Sequence, residues 1–314
     1  MRKLVALSCM FYVNNLILIM ADINNSSSNN YYSDMCSGSS FSNSCSPQPD
    51  NALTIFQWNC HGLNAHKEEL KLHLSSTGLN YDIVCLQETF LKPGSTFDMR
   101  GYRTIRRDRH DRAGGGLVTL VKDSLNFTEL EASSDIECIY IRVKSNSGYI
   151  NVVNVYLPPN FKFNKDNLSS LFQSKTVVVG DFNAKSKLWG SVYSDSRGRI
   201  IEDLLDEYNF CCINDGQPTY THYDGTQSHL DLSFVCSTLA AKSNWAVYDD
   251  TMGSDHSPTI TRLFDQTPYC DVQSLPHFKF SKADWINFKQ HCRSNVTDID
   301  VDAAILYGIE KRYL

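Results

Sequence analysis

Six short runs in this sequence set polar heads of the kind that do chemistry at the end of an apolar stretch, within one or just before one. In "TVVVGDFN", the β-branched run Thr176–Val179 empties through Gly180 into Asp181, Phe182 and Asn183. Side chains of an extended chain alternate faces, so Asp181 and Asn183 share a side while Phe182 turns to the core. That ending is either a turn signal or half of an active site, because Asp, Asn and Gly also close strands for conformational reasons. The other runs are "FQWNCHGLN" with Asn59, "VCLQETF" with Glu88, "NVVNVYLPP" with Tyr156, "SHLDLSF" with Asp231, and "GSDHSPT" with Asp255 and His256. Each alone is weak. Together they ask for one pocket at the edge where strands end, a usual place for ligands. Glu88, Asp181, Asp231 and Asp255 are hard oxygen donors, and with neighbouring amides they suit Mg²⁺ rather than zinc. A histidine in the company of a carboxylate is a base with an orienter. Asparagine and tyrosine donate hydrogen bonds without adding negative charge, as a phosphate ester requires. No Gly-x-x-x-x-Gly-Lys loop occurs, which argues against a P-loop hydrolase. The combination points to metal-assisted hydrolysis of a phosphodiester.

The elements that must position these groups are mostly strands. "LTIFQW", "DIVCLQE", "GGGLVTLVKD", "CIYIRVK", "YINVVNVYLPP" and "TVVVGDFN" are strand-like, as are "CCIND", "PTYTHY", "SHLDLSFV" and "SPTITRLF". Helical spacing is confined to "AHKEELKLHLSS", starting after Asn64, and "RGRIIEDLLDEYNF", with Ile200, Ile201, Leu204 and Leu205 on one face. Several strands lack the helical crossover of an all-parallel sheet. The expected fold is therefore α/β, a four-layered sandwich of two mixed β-sheets packed face to face with helices outside. Three segments are expected. Residues 1–52 form an extension, apolar and then Ser/Asn-rich and disordered; 53–265 form the domain; 266–314 form a helical extension with "FSKADWINFKQHC".

The chain has 314 residues and a net charge of −6, so its total charge does not announce nucleic acid. A local exception is "MRGYRTIRRDRHDRAGGG", with six arginines between Arg100 and Arg112. Arg106, Arg107, Arg109 and Arg112 are candidates for phosphate-backbone contacts, or else belong to a solvated edge strand and loop. Gly114–Gly116 suit a turn or bulge. The eleven cysteines include no CxxC pair, and several sit in apolar strands, which favours buried free thiols over disulfides or zinc. Met1–Met20 starts basic and apolar but is broken by Asn14 and Asn15. It reads as a signal peptide or an untidy extension, not a good membrane span. Among the remaining histidines, His229 shares a strand face with Asp231, and Trp58 suits a core position behind Asn59.

Taken in order, "WNCHGLN", "LQET", "VYLPP", "GDFNA", "SHLDLSF" and "GSDHSPT" resemble the endonuclease/exonuclease/phosphatase superfamily. The chain is most similar to the apurinic-type endonuclease domain of non-LTR, jockey-like retrotransposons, over roughly Leu53 to Phe264. The resemblance implies that Glu88, with Asn59 and Asp255, ligates Mg²⁺ or Mn²⁺. It implies that Asp181 positions or deprotonates the attacking water and that Asn183 holds the water or phosphate oxygens. His256, oriented by Asp231, would be a general base or neutralise the phosphate, and Tyr156 would hydrogen-bond it. The substrate would be DNA, nicked to leave a 3′-hydroxyl and a 5′-phosphate, with a reverse transcriptase domain as a partner missing from this chain. The site would be nuclear or cytoplasmic, with export the minority alternative and no membrane partner. A secreted deoxyribonuclease, a phosphatase of the same superfamily and a silent DNA-binding remnant are the competing readings. One departure stands out: His61 precedes Gly62 where abasic-site repair enzymes often carry aspartate, which puts a second metal contact in doubt.

Overall fold

β-Branched and aromatic residues set fourteen strands, numbered along the chain, in a computed structural model that describes residues 52–265 apart from 77–79, 111, 132–135 and 146–147. The apolar start, the Ser/Asn-rich stretch and the helical extension expected beyond residue 265 lie outside the described residues. The first sheet contains β1 (Ala52–Asn59), β2 (Ile83–Gln87), β3 (Tyr102–Arg107), β4 (Leu117–Lys122), β13 (Ser243–Val247) and β14 (Thr259–Phe264). Its order is β13-β14-β1-β2-β4-β3. The second contains β5 (Phe127–Leu130), β6 (Glu137–Ser145), β7 (Gly148–Tyr156), β8 (Thr176–Asp181), β9 (Phe210–Cys212) and β12 (Asp231–Cys236). Its order is β5-β6-β7-β8-β12-β9. A separate hairpin pairs β10 (Tyr220–Thr221) with β11 (Gln227–Ser228). Both sheets are mixed, since β1 runs parallel to β2 and β7 parallel to β8, while the other pairs are antiparallel.

Alternation along the strands builds three apolar layers. One face of β1, β2, β7, β8 and β12 sends Ile55, Ile83, Val152, Val177, Val179 and Val235 into the space between the sheets. The opposite face of β1 and β2 packs Phe56, Trp58, Val84 and Leu86 against Leu63 and Leu70 of α1 (Leu63–Ser75). On the far side of the second sheet, Val178, Phe182, Leu232 and Phe234 meet Leu168 of α2 (Lys165–Ser169). Ile201, Leu204 and Leu205 of α3 (Ser196–Glu207) join them there. Each such buried side chain contributes roughly 1.5–3 kcal/mol of transfer free energy. The result is helix, sheet, sheet, helix, as the strand-rich sequence implied. A short α4 (Ser237–Ala240) and a 3₁₀ turn (Lys187–Trp189) complete the elements.

Two details differ from the sequence reading. Helix α1 begins at Leu63, so Asn64 is inside it and not its cap; the chain enters through Gly62 at φ 103°. Strands β5 and β13 were not read from the sequence, whereas β3 is the edge strand that was one of the two readings of the arginine stretch. The six cysteines among the described residues are free thiols. No helix among the described residues is long and apolar enough to cross a membrane.

The topology decides where polar heads gather. β1, β2, β7 and β8 all deliver their C-terminal ends to one edge, and β12 begins there, with Asp231 directly opposite Asp181. β14 begins there too, with Thr259 opposite Gln57 and His256 just upstream. Strand β8 reaches this edge only because residue 180 is glycine. Its φ is +151°, and a Cβ there would stand 1.9 Å from the Val155 carbonyl oxygen on β7. Gly180→Ala is expected to cost more than about 3 kcal/mol by urea denaturation. Gly94→Ala, with nothing within 4 Å of the added carbon, should cost only about 1 kcal/mol. Similar losses for both would contradict the packing described here.

Candidate active site

Asp181 lies at the end of β8 with no appreciable exposure. Its Oδ2 accepts from Asn59 Nδ2 at 2.9 Å and from Asn183 Nδ2 at 2.9 Å, and its Oδ1 accepts the Asn183 amide at 3.0 Å. Strand alternation is not what aligns Asp181 with Asn183. The chain leaves the strand at Phe182, and Asn183 takes a left-handed conformation at φ 45°, which folds its amide back onto the carboxylate. Phe182 does enter the core. Asn59 ends β1 and also accepts the His61 amide at 3.1 Å.

Across the same edge, His256 Nδ1 meets Asp231 Oδ2 at 2.7 Å, and both side chains are buried. Trp58 Nε1 donates to the His256 carbonyl at 3.2 Å, so Trp58 supports the imidazole as well as the core. Tyr220 covers the ring at 4.6 Å between centroids. Glu88 follows β2 in a left-handed turn, φ 50°, and accepts the Tyr156 hydroxyl from the end of β7. Asp255 is partly exposed and faces His61 Nδ1 at 3.1 Å. The structure thus gathers Asn59, Glu88, Tyr156, Asp181, Asn183, Asp231, Asp255 and His256 at one rim.

Electrostatics divide these groups. Burial raises the Asp181 carboxyl to about 7; His256 and the Asn59 amide pull it down while the Asp231 charge pushes it up. Burial alone would lower the His256 imidazole, but the Asp231 carboxylate, through its charge and hydrogen bond, raises it to about 9, with Asp181 and Asp255 adding to the effect. The Tyr156 phenol is driven upward by burial and by the charges of Glu88 and Asp181.

The family described as endonuclease-reverse transcriptase matches residues 150–260, which hold β7, β8, β12 and His256. The chain is 27% identical over 221 residues to the RNA-directed DNA polymerase from mobile element jockey of Drosophila melanogaster, covering 67% of this chain and 24% of that protein. It is 27% identical over 220 residues to the probable RNA-directed DNA polymerase from transposon X-element of the same species, with the same coverage of 67% and 24%. It therefore spans about a quarter of the length of the curated relatives it matches. In fold it is similar to the endonuclease domain of TRAS1, a telomere-specific non-LTR retrotransposon, with TM-score 0.58, 21% identity, and coverage of 68% of this chain and 99% of that one. The AP endonuclease of Leishmania major gives TM-score 0.57 at 17% identity, covering 69% and 89%. These matches agree with the resemblance to the endonuclease/exonuclease/phosphatase superfamily.

Residues that lie at no strand end also build the rim. Arg197, in the first turn of α3, donates through Nη2 to the carbonyls of Leu157 (3.0 Å) and Phe182 (2.8 Å). Its Nη1 reaches Pro158 (3.1 Å), Pro159 (3.2 Å) and Phe161 (2.8 Å). One guanidinium thus ties the loop after Tyr156 to the loop after Asp181. The signal in "DSRGRII" is the Arg197–Gly198 pair at a capped helix start, since a Cβ on Gly198 would stand 2.0 Å from the Lys185 carbonyl oxygen. Gly114–Gly116 back the Glu88 turn, with Phe90 N donating to the Gly115 carbonyl at 3.0 Å and Thr89 N to Gly116 at 3.2 Å.

The arginine stretch is largely self-neutralised. Arg106 pairs with Asp108 at 2.7 Å, Arg107 with Glu129, and Arg109 with Glu137. Arg109 also lies 5.6 Å from the Tyr156 ring centre. Arg112 is exposed and makes no ion pair with the described residues. His229 turns away from Asp231 and bonds the Gly216 carbonyl at 2.9 Å.

No three of His, Cys, Asp and Glu converge on a common point among the described residues, so an all-protein cation cage is absent there. The donor set still fits a Mg²⁺-type ion, which keeps most of its waters and needs only one or two carboxylates plus substrate phosphate. Glu88 has one oxygen bonded to Tyr156 and the other without a hydrogen-bond partner among the described residues. The Tyr220 phenol is raised by burial and then by the negative charges of Asp255, Asp181 and Glu88.

Two outcomes are expected. Arg197→Met should cost about 2–4 kcal/mol by urea denaturation, and Arg197→Lys should recover only part, because an ammonium cannot span five carbonyls. The second concerns pH. Both raised groups bind protons more tightly in the native chain than in the unfolded one. The stability His256 provides is full below pH 6.5 and is lost as pH rises through about 9, and that of Asp181 is full below 3.8 and lost through about 7. The urea midpoint of metal-free protein should fall between pH 6.5 and 9, and fall less in His256→Gln. A midpoint that rises over this window would contradict the assignment.

Proposed function

We propose that this chain is a metal-dependent DNA endonuclease that nicks one phosphodiester and leaves a 3′-hydroxyl and a 5′-phosphate. The observation that carries the reading is geometric: Asp181, held by Asn59 and Asn183, and His256, held by Asp231, meet at one rim with Glu88 and Tyr156. There burial raises the Asp181 carboxyl, and the Asp231 carboxylate outweighs burial to raise the His256 imidazole. Near neutrality the first can accept a proton and the second carries one. That division supports Asp181 as the base for the attacking water and the His256 imidazolium as the group that neutralises the phosphate.

Asn183 and Asn59 fix the Asp181 carboxylate from two sides, and Asn183 also donates to the Leu157 carbonyl at 3.2 Å, so its amide is not free to wander. Tyr156, kept protonated by burial and by the negative charges beside it, donates to Glu88 in this structure and would turn that proton to a phosphate oxygen when Glu88 takes a cation. Glu88, with Asn59 and Asp255 at its edges, would hold Mg²⁺ or Mn²⁺, which supplies Lewis-acid polarisation of the phosphoryl oxygens. Water oxygen forms the new bond to phosphorus, its proton passes to Asp181, and the bond to O3′ breaks as O3′ takes up a proton from solvent water. Of the arginines, the exposed Arg112 is the free candidate for a DNA phosphate, and Arg107 is a second candidate once it exchanges Glu129 for one. The curated relatives are RNA-directed DNA polymerases, which supports a reverse transcriptase domain as the partner that uses the 3′-hydroxyl.

The purified domain should convert supercoiled plasmid to the nicked form with Mg²⁺ and stop on chelation. Asp181→Ala and His256→Ala should each lower the rate by about 10²-fold or more, the scale of losing an acid–base group. Nicking by both variants at the parent's rate would sink the proposal, and 5′-phosphate mapping of the product tests its polarity.

A further inference from the structure

Between the two sheets, just beneath the rim, lies a row of buried amides that the reaction does not touch. Asn154 of β7 donates from Nδ2 to the carbonyls of Leu86 (3.2 Å) and Val118 (3.1 Å) and to Thr119 Oγ1 (3.1 Å). Carbonyls only accept, so its oxygen must face the other way. There it receives Gln87 Nε2 at 2.6 Å, and that nitrogen also serves the Cys85 carbonyl at 3.2 Å. The Gln87 oxygen is thereby turned to Gln57, which donates from Nε2 at 2.7 Å. The same Gln57 nitrogen has a second proton, and it points at Asp231 Oδ1, 2.8 Å away. Thr259 Oγ1 donates to the Gln57 oxygen at 2.8 Å and closes the remaining choice. Every amide orientation in the row follows from the one before it. The row runs in one direction, from backbone carbonyls of the first sheet to the carboxylate that holds His256.

We infer that Gln57 is a positioning residue of the active site. Through it, the Asn154–Gln87–Gln57 row presents a fixed donor to Asp231, leaving Asp231 Oδ2 as the acceptor for His256 Nδ1 and setting the imidazole's orientation. Asp231 is wholly buried, and its carboxylate has no hydrogen-bond partners other than Gln57 and His256 among the described residues. Without Gln57 the carboxylate can rotate about its own axis and the ring can follow it, so the loss falls on turnover and not on substrate binding. The row was legible only in part. Gln57 and Asn154 stand two residues before Asn59 and Tyr156, so strand alternation places each on its partner's face.

This inference rests on the nuclease reading, and its test separates the two. Plasmid nicking is measured with Mg²⁺ for the parent, Gln57→Met, Asp231→Ala and the double variant. The proton on His256 Nδ1 is followed by its downfield NMR resonance in metal-free protein. Gln57→Met should lower kcat about ten- to a hundredfold, with KM for plasmid unchanged within about twofold. It should add nothing in the Asp231→Ala background. The resonance should vanish in Asp231→Ala and shift or broaden in Gln57→Met. Thr261→Val is the control, because Thr261 Oγ1 also joins the sheets, donating to Ser233 Oγ at 3.2 Å, but lies off the row. It should leave kcat and the resonance unchanged. If Gln57→Met does not fold, Gln57→Asn keeps a buried amide but withdraws it from Asp231 by one methylene, and is read the same way. Parent-like kcat with an unmoved resonance, or a full additional loss in the double variant, would overturn the inference. If the parent itself does not nick, the nuclease reading falls, and the resonance alone decides whether Gln57 holds the pair.

Discussion

A carboxylate sealed from water survives in a protein only where every one of its oxygens is matched, and Asp231 is the residue around which this molecule is arranged. One oxygen is met from within by Gln57 of the facing sheet and the other by His256. That requirement couples the two sheets, alongside the Asn59–Asp181, Gln87–Asn154 and Thr261–Ser233 bonds. Lower down, Ile55, Val152, Val177 and Val235 fill the gap between the sheets. Moving toward the rim, the same gap changes from hydrocarbon to amide to carboxylate. The reactive edge is the polar end of the core and not a feature laid over it.

This gradient explains why the rim can be rigid although it is made of strand ends and turns. Asn59, Tyr156 and Asp181 are the last residues of strands whose preceding inward positions are already fixed. Where the chain turns away, left-handed residues, Glu88 and Asn183 among them, fold polar heads back over the edge. Arg197 completes the arrangement from outside by gathering the carbonyls of two loops. Such a site is preorganised for charge, because its dipoles and charges are held before any substrate arrives.

Much of this was legible in the sequence. The many strands without helical crossovers pointed to the two-sheet layering, and the polar heads near strand ends pointed to the residues that gather at the rim. Other features were hidden for identifiable reasons. An amide inside a strand, such as Gln57 or Asn154, has the same pattern as a solvent-facing position, and only a second sheet above it reveals that it is buried. Arg197 stands at a helix start, where cations are commonplace, and its carbonyl partners are some 15 to 40 residues away in sequence. The expectation that Asp181 and Asn183 align by strand pleating had the right residues for the wrong reason. A dense cluster of arginines suggested an anion-binding surface, yet Asp108, Glu129 and Glu137 from nearby segments occupy three of them.

Cys60 sits between Asn59 and His61, at the floor of the rim, with its thiol donating to the Gln87 carbonyl at 3.2 Å. Burial drives that thiol far above its ordinary acidity, so it has almost no thiolate and no path to a reagent. Its alkylation must await an opening that parts β1 from the turn after β2. A single native sulfur atom is therefore a built-in clock for breathing of the reactive edge, readable by mass spectrometry without any label being engineered.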